Sequence, residues 1–433
     1  MTPNILFLFP DQWRGDWWEF SGHGIPVKTP TINSIAARGT VFDYAITPSP
    51  LCAPARACIA TGQSYPAANV RNNNLNFPPT HSTIYRSMRD AGYHVMGCGK
   101  FDLHKAEYSW GPEGSHLLDE WGFDDGVDNE GKIDGVEAYR KGTPGPYLSF
   151  LQERGLAQAH VEDFRLRIPH ETFPTSLKGG EYCDDWITQN ALDLLTRAPG
   201  GTPWFLQVNW AGPHDPFDVT GEMHEWYRDT EFSEPFNAGN KPIDHVSIRR
   251  NYAAMIQNID RGIARILDHP RVRAEIDRTV VVFASDHGEM LGDHGYYGKC
   301  TPHNGSVHVP LVVAGPGIKQ GARVSEPYSI LDLPGTFADL TQSGLAADKD
   351  SRSLRPALSG RQDPDRVVIT ALDVPANPDF QWRAAIDTHF KYIRWNDGRT
   401  ALFERIDYGE LTDVSSAHPA EVSRLGGVLS AEE

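Results

Sequence analysis

A chain of 433 residues with this pattern predicts an α/β fold on a large, mostly parallel sheet flanked by helices. Three observations carry that expectation. Continuous apolar runs of strand length recur along the chain, segments of helical periodicity alternate with them, and several runs end in polar residues. Uninterrupted apolar strands are covered on both faces, and alternation with helices places those covers as in a doubly wound sheet.

Taken in order, residues 4–9 contain Ile5-Leu6-Phe7-Leu8-Phe9 and predict a first buried strand. Residues 30–39 read as a helix with Pro30 at its start and Gly39 at its end. Residues 41–46 predict a second strand, 93–97 a third and 204–208 a fourth. Tyr252, Met255, Ile256, Ile259, Ile263, Ile266 and Leu267 recur at helical spacing and predict an amphipathic helix. Residues 279–284 give the clearest buried strand, and 309–314 another after a loop. Residues 101–200 show few periodic signals and are broken by Gly142-Thr143-Pro144-Gly145-Pro146; insertions that shape a pocket are expected there. A composition shift over 351–365 marks a boundary. The expected organisation is a catalytic α/β domain over 1–350 and a small C-terminal α+β subdomain over 351–433. Short antiparallel strands are expected there at 366–370, 382–386, 391–395 and 401–404.

Hydrophobic content of 39% and charged content of 22% are those of an ordinary globular protein. The net charge of −17 argues against a nucleic-acid or anionic-membrane surface, which needs a basic footprint. A small anionic substrate is compatible with it, given a local positive cluster. Cys52, Cys58, Cys98, Cys183 and Cys300 form no CxxC pair and suggest no disulfide frame. No basic, apolar leader opens the sequence and no run reaches the roughly 20 apolar residues of a membrane helix. A cytoplasmic protein with no membrane partner is expected, and a homo-oligomer is left open.

Doubly wound sheets bind ligands beyond the carboxyl ends of their strands. Asp11-Gln12 follows the first strand, Lys100 the third, His214 the fourth, and Ser285-Asp286-His287-Gly288-Glu289 the long apolar strand. Carboxylates and amide oxygens suit Ca2+, and Mn2+ also accepts imidazole. Asp11, Gln12, Asp286 and His287 are therefore the candidate set for one divalent cation.

Cys52-Ala53-Pro54-Ala55-Arg56 is a Cys-x-Pro-x-Arg pentapeptide. With Pro3-Asn4-Ile5-Leu6, Asp11-Gln12, Thr61-Gly62, Gly99-Lys100, Pro213-His214, the Ser285 to Glu289 run, Gly298-Lys299 and Thr301-Pro302, it resembles the type I sulfatases of the alkaline phosphatase superfamily. Ala401-Leu402-Phe403-Glu404 with Leu411-Thr412-Asp413 resembles that family's closing strand and turn. The resemblance implies an alkaline-phosphatase-like fold and a sulfuric ester hydrolase. Cys52 would be converted to formylglycine by a formylglycine-generating enzyme, and its hydrate would face the cation held by Asp11, Gln12, Asp286 and His287. Arg56 would orient and polarise that hydrate. Lys100 and Lys299 would grip the sulfate of a small organic or carbohydrate ester, His214 would protonate the leaving alcohol, and Asn73 would contact the head group. After transfer, loss of a proton from the remaining hydroxyl would expel sulfate and restore the aldehyde.

Two departures bear on this reading. Asp102 stands two residues after Lys100, where the family usually has histidine, so His104 is assigned the role near formylglycine. His303 to His308 replace the acidic pair and arginine that commonly follow Thr-Pro, which bears on the pocket rim. The Asp11-Gln12-Trp13-Arg14 start also resembles phosphonate monoester and choline-sulfate hydrolases, so phosphonate monoester or phosphodiester hydrolysis is the alternative. A non-catalytic binding protein on the same fold is the remote one. Trp17, Trp18 and Trp210 are candidates for an aromatic wall or for the core.

Overall fold

The structure is a computed structural model and describes residues 2–431 apart from 66, 79, 168–169, 241 and 346–348. The elements that position the site are, in chain order, β1 (Asn4–Leu8), α1 (Pro30–Ala37), β2 (Gly39–Phe42), α2 (Cys52–Thr61), β3 (His94–Gly99), β4 (Asp125–Asp128), α3 (Cys183–Arg197), β5 (Trp204–Asn209), α4 (His245–Leu267), β6 (Thr279–Ala284), β7 (Leu311–Ala314) and β8 (Ala322–Val324).

These eight strands form one sheet in the order β8-β2-β7-β6-β1-β5-β3-β4. The central β1 runs parallel to both neighbours, with Ile5 beside Phe205 on one side and Val280 on the other. Only β7 is reversed, antiparallel to β6 and β2. Side chains alternate across the strands and feed two cores. Ile5, Phe7, Val280 and Val282 face one core with Ala57, Cys58 and Ile59 of α2. Leu6, Leu8, Val281 and Phe283 face the other with Ile32 of α1, Ile187 of α3 and Ile259 of α4. The continuous apolar runs are thus explained by burial on both faces.

The C-terminal strands β9 (Val368–Asp373), β10 (Gln381–Ile386), β11 (Phe390–Trp395) and β12 (Thr400–Glu404) pair antiparallel in sequence order. Trp382, Ala384, Ile386 and Ile393 join the first core, while Ala385, Tyr392 and Leu402 on the other face receive Leu425 and Leu429 of α5 (Pro419–Ala431). One continuous core therefore joins this sheet to the main body.

Several sequence expectations shift. The strand expected over 41–46 ends at Phe42, and Ala45–Ile46 instead pairs with Tyr328–Ser329 and His308–Val309 in a small second sheet. Pro310, which has no N–H for a ladder, separates His308–Val309 from β7. The long helix begins at His245, before the first periodic apolar residue, because the Asp244 side chain accepts the Ser247 N–H at 3.0 Å as an N-cap. Residues 101–200 contribute more than insertions: β4 is an edge strand of the main sheet, and α3 packs into the second core.

Candidate active site

The carboxyl ends of β1, β3, β5 and β6 meet over the N-terminus of α2. Cys52 is the first residue of that helix, and all ten of its residues are buried. The amide of Ala53 donates to Asn73 Oδ1 at 3.0 Å, so Asn73 caps the helix from a neighbouring loop. The helix dipole favours negative charge where Cys52 projects.

Ligand atoms of Asp11, Cys52, Asp286 and His287 lie within 4.8 Å of one another. Cys52 Sγ is 3.1 Å from His287 Nε2 and 4.0 Å from Asp11 Oδ1. Asp286 is fixed by the amides of Gln12 and His287 at 3.0 and 2.9 Å on Oδ1, and by Arg56 Nε at 2.9 Å on Oδ2. His287 Nδ1 lies 3.0 Å from the Gly288 carbonyl, which only accepts, so Nδ1 donates there and Nε2 is the ring nitrogen that faces Cys52. Gln12 holds a left-handed φ of 69° where the chain leaves β1. Its amide N–H reaches Asp286, while its side-chain oxygen accepts from Lys299 at 2.6 Å.

Four basic groups surround this cluster. Arg56 donates to the Lys100 carbonyl at 2.5 Å and lies 3.7 Å from Asp11. The Lys100 ammonium pairs with Asp11 and, at 3.0 Å, with Asp102. Lys299 Nζ is 2.6 Å from His214 Nε2, and His214 Nδ1 is 2.6 Å from the Asp215 carbonyl. Burial would raise the Cys52 thiol, but Lys100, Lys299 and His287 hold it well below the usual thiol range. Burial also pushes Asp11 up, with Cys52 adding to it, yet Lys100, His214 and Arg56 bring it below the ordinary carboxylate range. Burial pulls His287 down, and Asp286 and Cys52 more than reverse it.

The donor chemistry fits a hard divalent cation. Two buried carboxylates, an imidazole nitrogen and a nearby amide oxygen converge where a cation would offset the carboxylate charge. Asp11, Asp286 and His287 could hold it; Gln12 would join by releasing Lys299.

A cleft of about 390 Å³ opens beside Lys100 and His214 and is walled by Asn72 to Asn74, Lys105, Tyr108, Lys132 and Asp134, among others. His104 is not among its lining residues. Among the described residues the polar and ring partners of His104 are Glu107, at 3.5 Å, and His116, edge-on, rather than Cys52. Asp102 adopts a left-handed φ of 54°, and its carboxylate lies between Lys100 and Lys105, 3.0 Å from each ammonium. Lys105 also pairs with Asp134 at 2.8 Å. Sequence reasoning passed over Asp102 as a site residue, and over Lys105 and Lys132. The available signal was a carboxylate two residues from Lys100, which has to be neutralised once buried.

Other candidates fall outside the cleft. Trp17, Trp18 and Trp210 belong to the second core, so no aromatic wall forms from them. Asp293 is held by Arg14 at 2.7 Å and Arg249 at 3.2 Å. His303 and the Asn304 amide both contact Glu410, at 3.2 and 2.7 Å. The acidic partner of this altered stretch thus comes from the C-terminal region. Cys58, Cys98 and Cys183 are buried free thiols, and Cys300 is half-buried.

The sequence profile of the sulfatase family matches residues 3–343. This chain belongs to the sulfatase family. It is a type I sulfatase of the alkaline phosphatase superfamily and a sulfuric ester hydrolase. Among its relatives, an arylsulfatase of Clostridium perfringens is 26% identical over 387 residues, covering 83% of this chain and 79% of its own. A choline-sulfatase of Rhizobium meliloti is 28% identical, covering 85% and 73%. In fold, the phosphonate monoester hydrolase of Agrobacterium radiobacter superposes with a TM-score of 0.80 at 23% identity, over 99% of this chain and 95% of its own. A protein solved in complex with its substrate D-glucosamine-2-N,6-O-disulfate superposes with a TM-score of 0.79 at 19% identity, covering 100% and 97%. Among the described residues no helix is long and apolar enough to cross a membrane.

Proposed function

We propose that this sulfatase hydrolyses a sulfate monoester through formylglycine at position 52 and one divalent cation, Ca2+ by donor type with Mn2+ as the alternative. The observation that carries the reading is the meeting of Cys52, at a buried helix N-terminus, with Asp11, Asp286 and His287. When present, the cation and the hydrated aldehyde supply a nucleophile ionised near neutral pH and fixed positive charge on the transferred group.

The side chains do the rest. Arg56 fixes Asp286 and holds charge against Asp11. Lys100 and Lys299 flank position 52 and bind the anionic head group, in a buried site where such contacts gain strength. Asn73 orders the helix start and lines the cleft where that head group enters. His214, whose Nδ1 lies at the Asp215 carbonyl and whose Nε2 lies beside Lys299, would pass a proton to the leaving oxygen. Positioned acids of this kind give on the order of 100- to 10,000-fold.

The cleft supports a polyhydroxylated alcohol as the leaving group. Asparagine amides donate and accept, and the Lys105–Asp134 pair offers both senses of hydrogen bond. A quaternary ammonium would meet three lysines and, among the described lining residues, Tyr108 as the one phenyl or indole face. We assign the catalytic domain to residues 1–350 and the C-terminal subdomain to 351–433, with a formylglycine-generating enzyme as the partner that modifies Cys52. Comparing kcat/KM on a sugar sulfate, an aryl sulfate and an aryl phosphonate monoester tests the reading. A much larger value on the phosphonate would replace it with phosphonate ester hydrolysis.

A further inference from the structure

A second cavity, of about 620 Å³, is larger than the catalytic cleft and shares no lining residue with it. It lies between the loops that follow α2 and the first two strands of the C-terminal sheet. Val368, Ile369 and Ala371 of β9 and Arg383 of β10 form one wall. The opposite wall meets the far end of α2: the Gly62 carbonyl accepts the amides of Asp350 and Ser351 at 3.0 Å each. The ten-residue α2 spans about 15 Å, so this wall lies at the helix end opposite Cys52, while Pro48 and Arg71 line the cavity on the side nearer the catalytic cleft.

The charge of this cavity is out of keeping with the chain. Arg71, Arg352, Arg366, Arg383 and Lys349 line it, against Asp332 and Asp350. Acidic residues outnumber basic ones 57 to 40 in the sequence, so arginines here have many carboxylates to choose from. Both acids in the cavity are already engaged. Asp332 pairs with Arg366 and accepts the Arg352 amide at 3.1 Å. Asp350 takes the amide and the hydroxyl of Ser64 at 2.7 Å each. The guanidinium groups of Arg71, Arg352 and Arg383 have no hydrogen-bond or ion-pair partner among the described residues. Arg366 Nε is buried without a hydrogen-bond partner, and its guanidinium stacks 4.2 Å from the Tyr328 ring, fixed in place.

Guanidinium forks match sulfate and phosphate oxygens in pairs, and several lining one concave surface fit a multiply charged oxyanion better than a carboxylate. We propose that this cavity is a second anion-binding site, which takes a tetrahedral oxyanion of the sulfate or phosphate type outside the catalytic cleft. Two sources share that chemistry: the free inorganic anion, and a sulfate ester group on a multiply sulfated chain.

Calorimetric titration of the whole enzyme with inorganic sulfate, and separately with a multiply sulfated oligosaccharide, tests this. Wild type is compared with the Arg352→Ser/Arg383→Ser double variant. Removing a charged hydrogen-bond donor weakens binding roughly tenfold per guanidinium. Wild type should show two classes of sulfate site and the double variant one, with kcat/KM on a small aryl sulfate unchanged. Loss of the second class with inorganic sulfate identifies the free anion as ligand; loss with the oligosaccharide alone identifies the ester-borne group. Superimposable isotherms for both probes in both proteins overturn the proposal. Arg352 is exposed and Arg383 half-buried, neither paired, so the fold should tolerate the change, which matched thermal midpoints will check. Arg383→Lys, keeping charge without the fork, should fall between wild type and the Arg383→Ser single variant. Because the aryl sulfate assay reads the catalytic site alone, failure here is distinct from failure of the sulfatase mechanism.

Discussion

Replacing Arg56 by methionine removes one charge from the catalytic cluster while keeping most of the stem volume. In the folded protein Arg56 is buried, bonds Asp286 at 2.9 Å and the Lys100 carbonyl at 2.5 Å, and lies 3.7 Å from Asp11. Its loss leaves two buried carboxylates, Asp11 beside Lys100 and Asp286 with two backbone amides and the His287 ring. Removing one partner of a buried ion pair costs about 3–5 kcal/mol, a large part of the roughly 5–15 kcal/mol that holds a protein folded. If Asp11 and Asp286 bind a divalent cation, the metal supplies part of the missing charge. At one hundred times its Kd a ligand of the native state adds about 2.7 kcal/mol. Urea unfolding of wild type and Arg56→Met, each with Ca2+ and with chelator, measures both terms. The variant should be destabilised in chelator and substantially recovered by Ca2+. A loss below about 1 kcal/mol, or a loss that Ca2+ does not alter, would refute the reasoning.

Cys52→Ala should abolish turnover, by at least a thousandfold, with an unchanged circular dichroism spectrum; retained activity would remove Cys52 from the chemistry. His214→Ala should depress kcat most for esters of poorly acidic alcohols, and equal losses across a leaving-group series would count against proton donation. Asp286→Asn should lower bound metal in elemental analysis of the folded fraction, since it removes a charged ligand; unchanged occupancy would take Asp286 out of the ligand set. A pH test rests on Glu130, away from the cluster, which accepts the amides of Tyr147 and Leu148 at 3.3 and 2.8 Å. Burial raises its carboxyl from 4.5 to about 7. A raised folded value means the contribution is full below about 4.5 and is lost as pH climbs through 7. Relative to Glu130→Gln, wild type should therefore lose up to about 3 kcal/mol across that window, and parallel stability curves would contradict it.

Much of this architecture was legible because β1 and β6 are apolar after their first residues, Asn4 and Thr279, a pattern that strands covered on both faces sustain. The polar residues after β1, β3, β5 and β6 were readable as one site for the same reason: parallel strands deliver their ends to one edge. β4 was not, because Asp125-Gly126-Val127-Asp128 is an edge strand without an apolar run. α3 carries Ile187, Ala191, Leu194 and Leu195 at helical spacing, a pattern that the neighbouring Gly and Pro clusters masked. Sequence offset could not register the left-handed turn at Asp102, which sets how the chain runs on from Lys100. Lys105 and Lys132 escaped because nothing local distinguishes them from solvated lysines. Their roles depend on Asp102, Asp134 and Asp218, and Asp218 lies far along the chain from Lys132.

The central claim is that position 52 acts as a hydrated aldehyde beside a cation held by Asp11, Asp286 and His287. Its most direct test prepares the enzyme with graded amounts of the converting enzyme. Peptide mass analysis then quantifies aldehyde against thiol at residue 52, and sulfate release is measured on each preparation with Ca2+ supplied. The expected result is a rate proportional to aldehyde content and vanishing with it. Full turnover by material that carries only the thiol would contradict it.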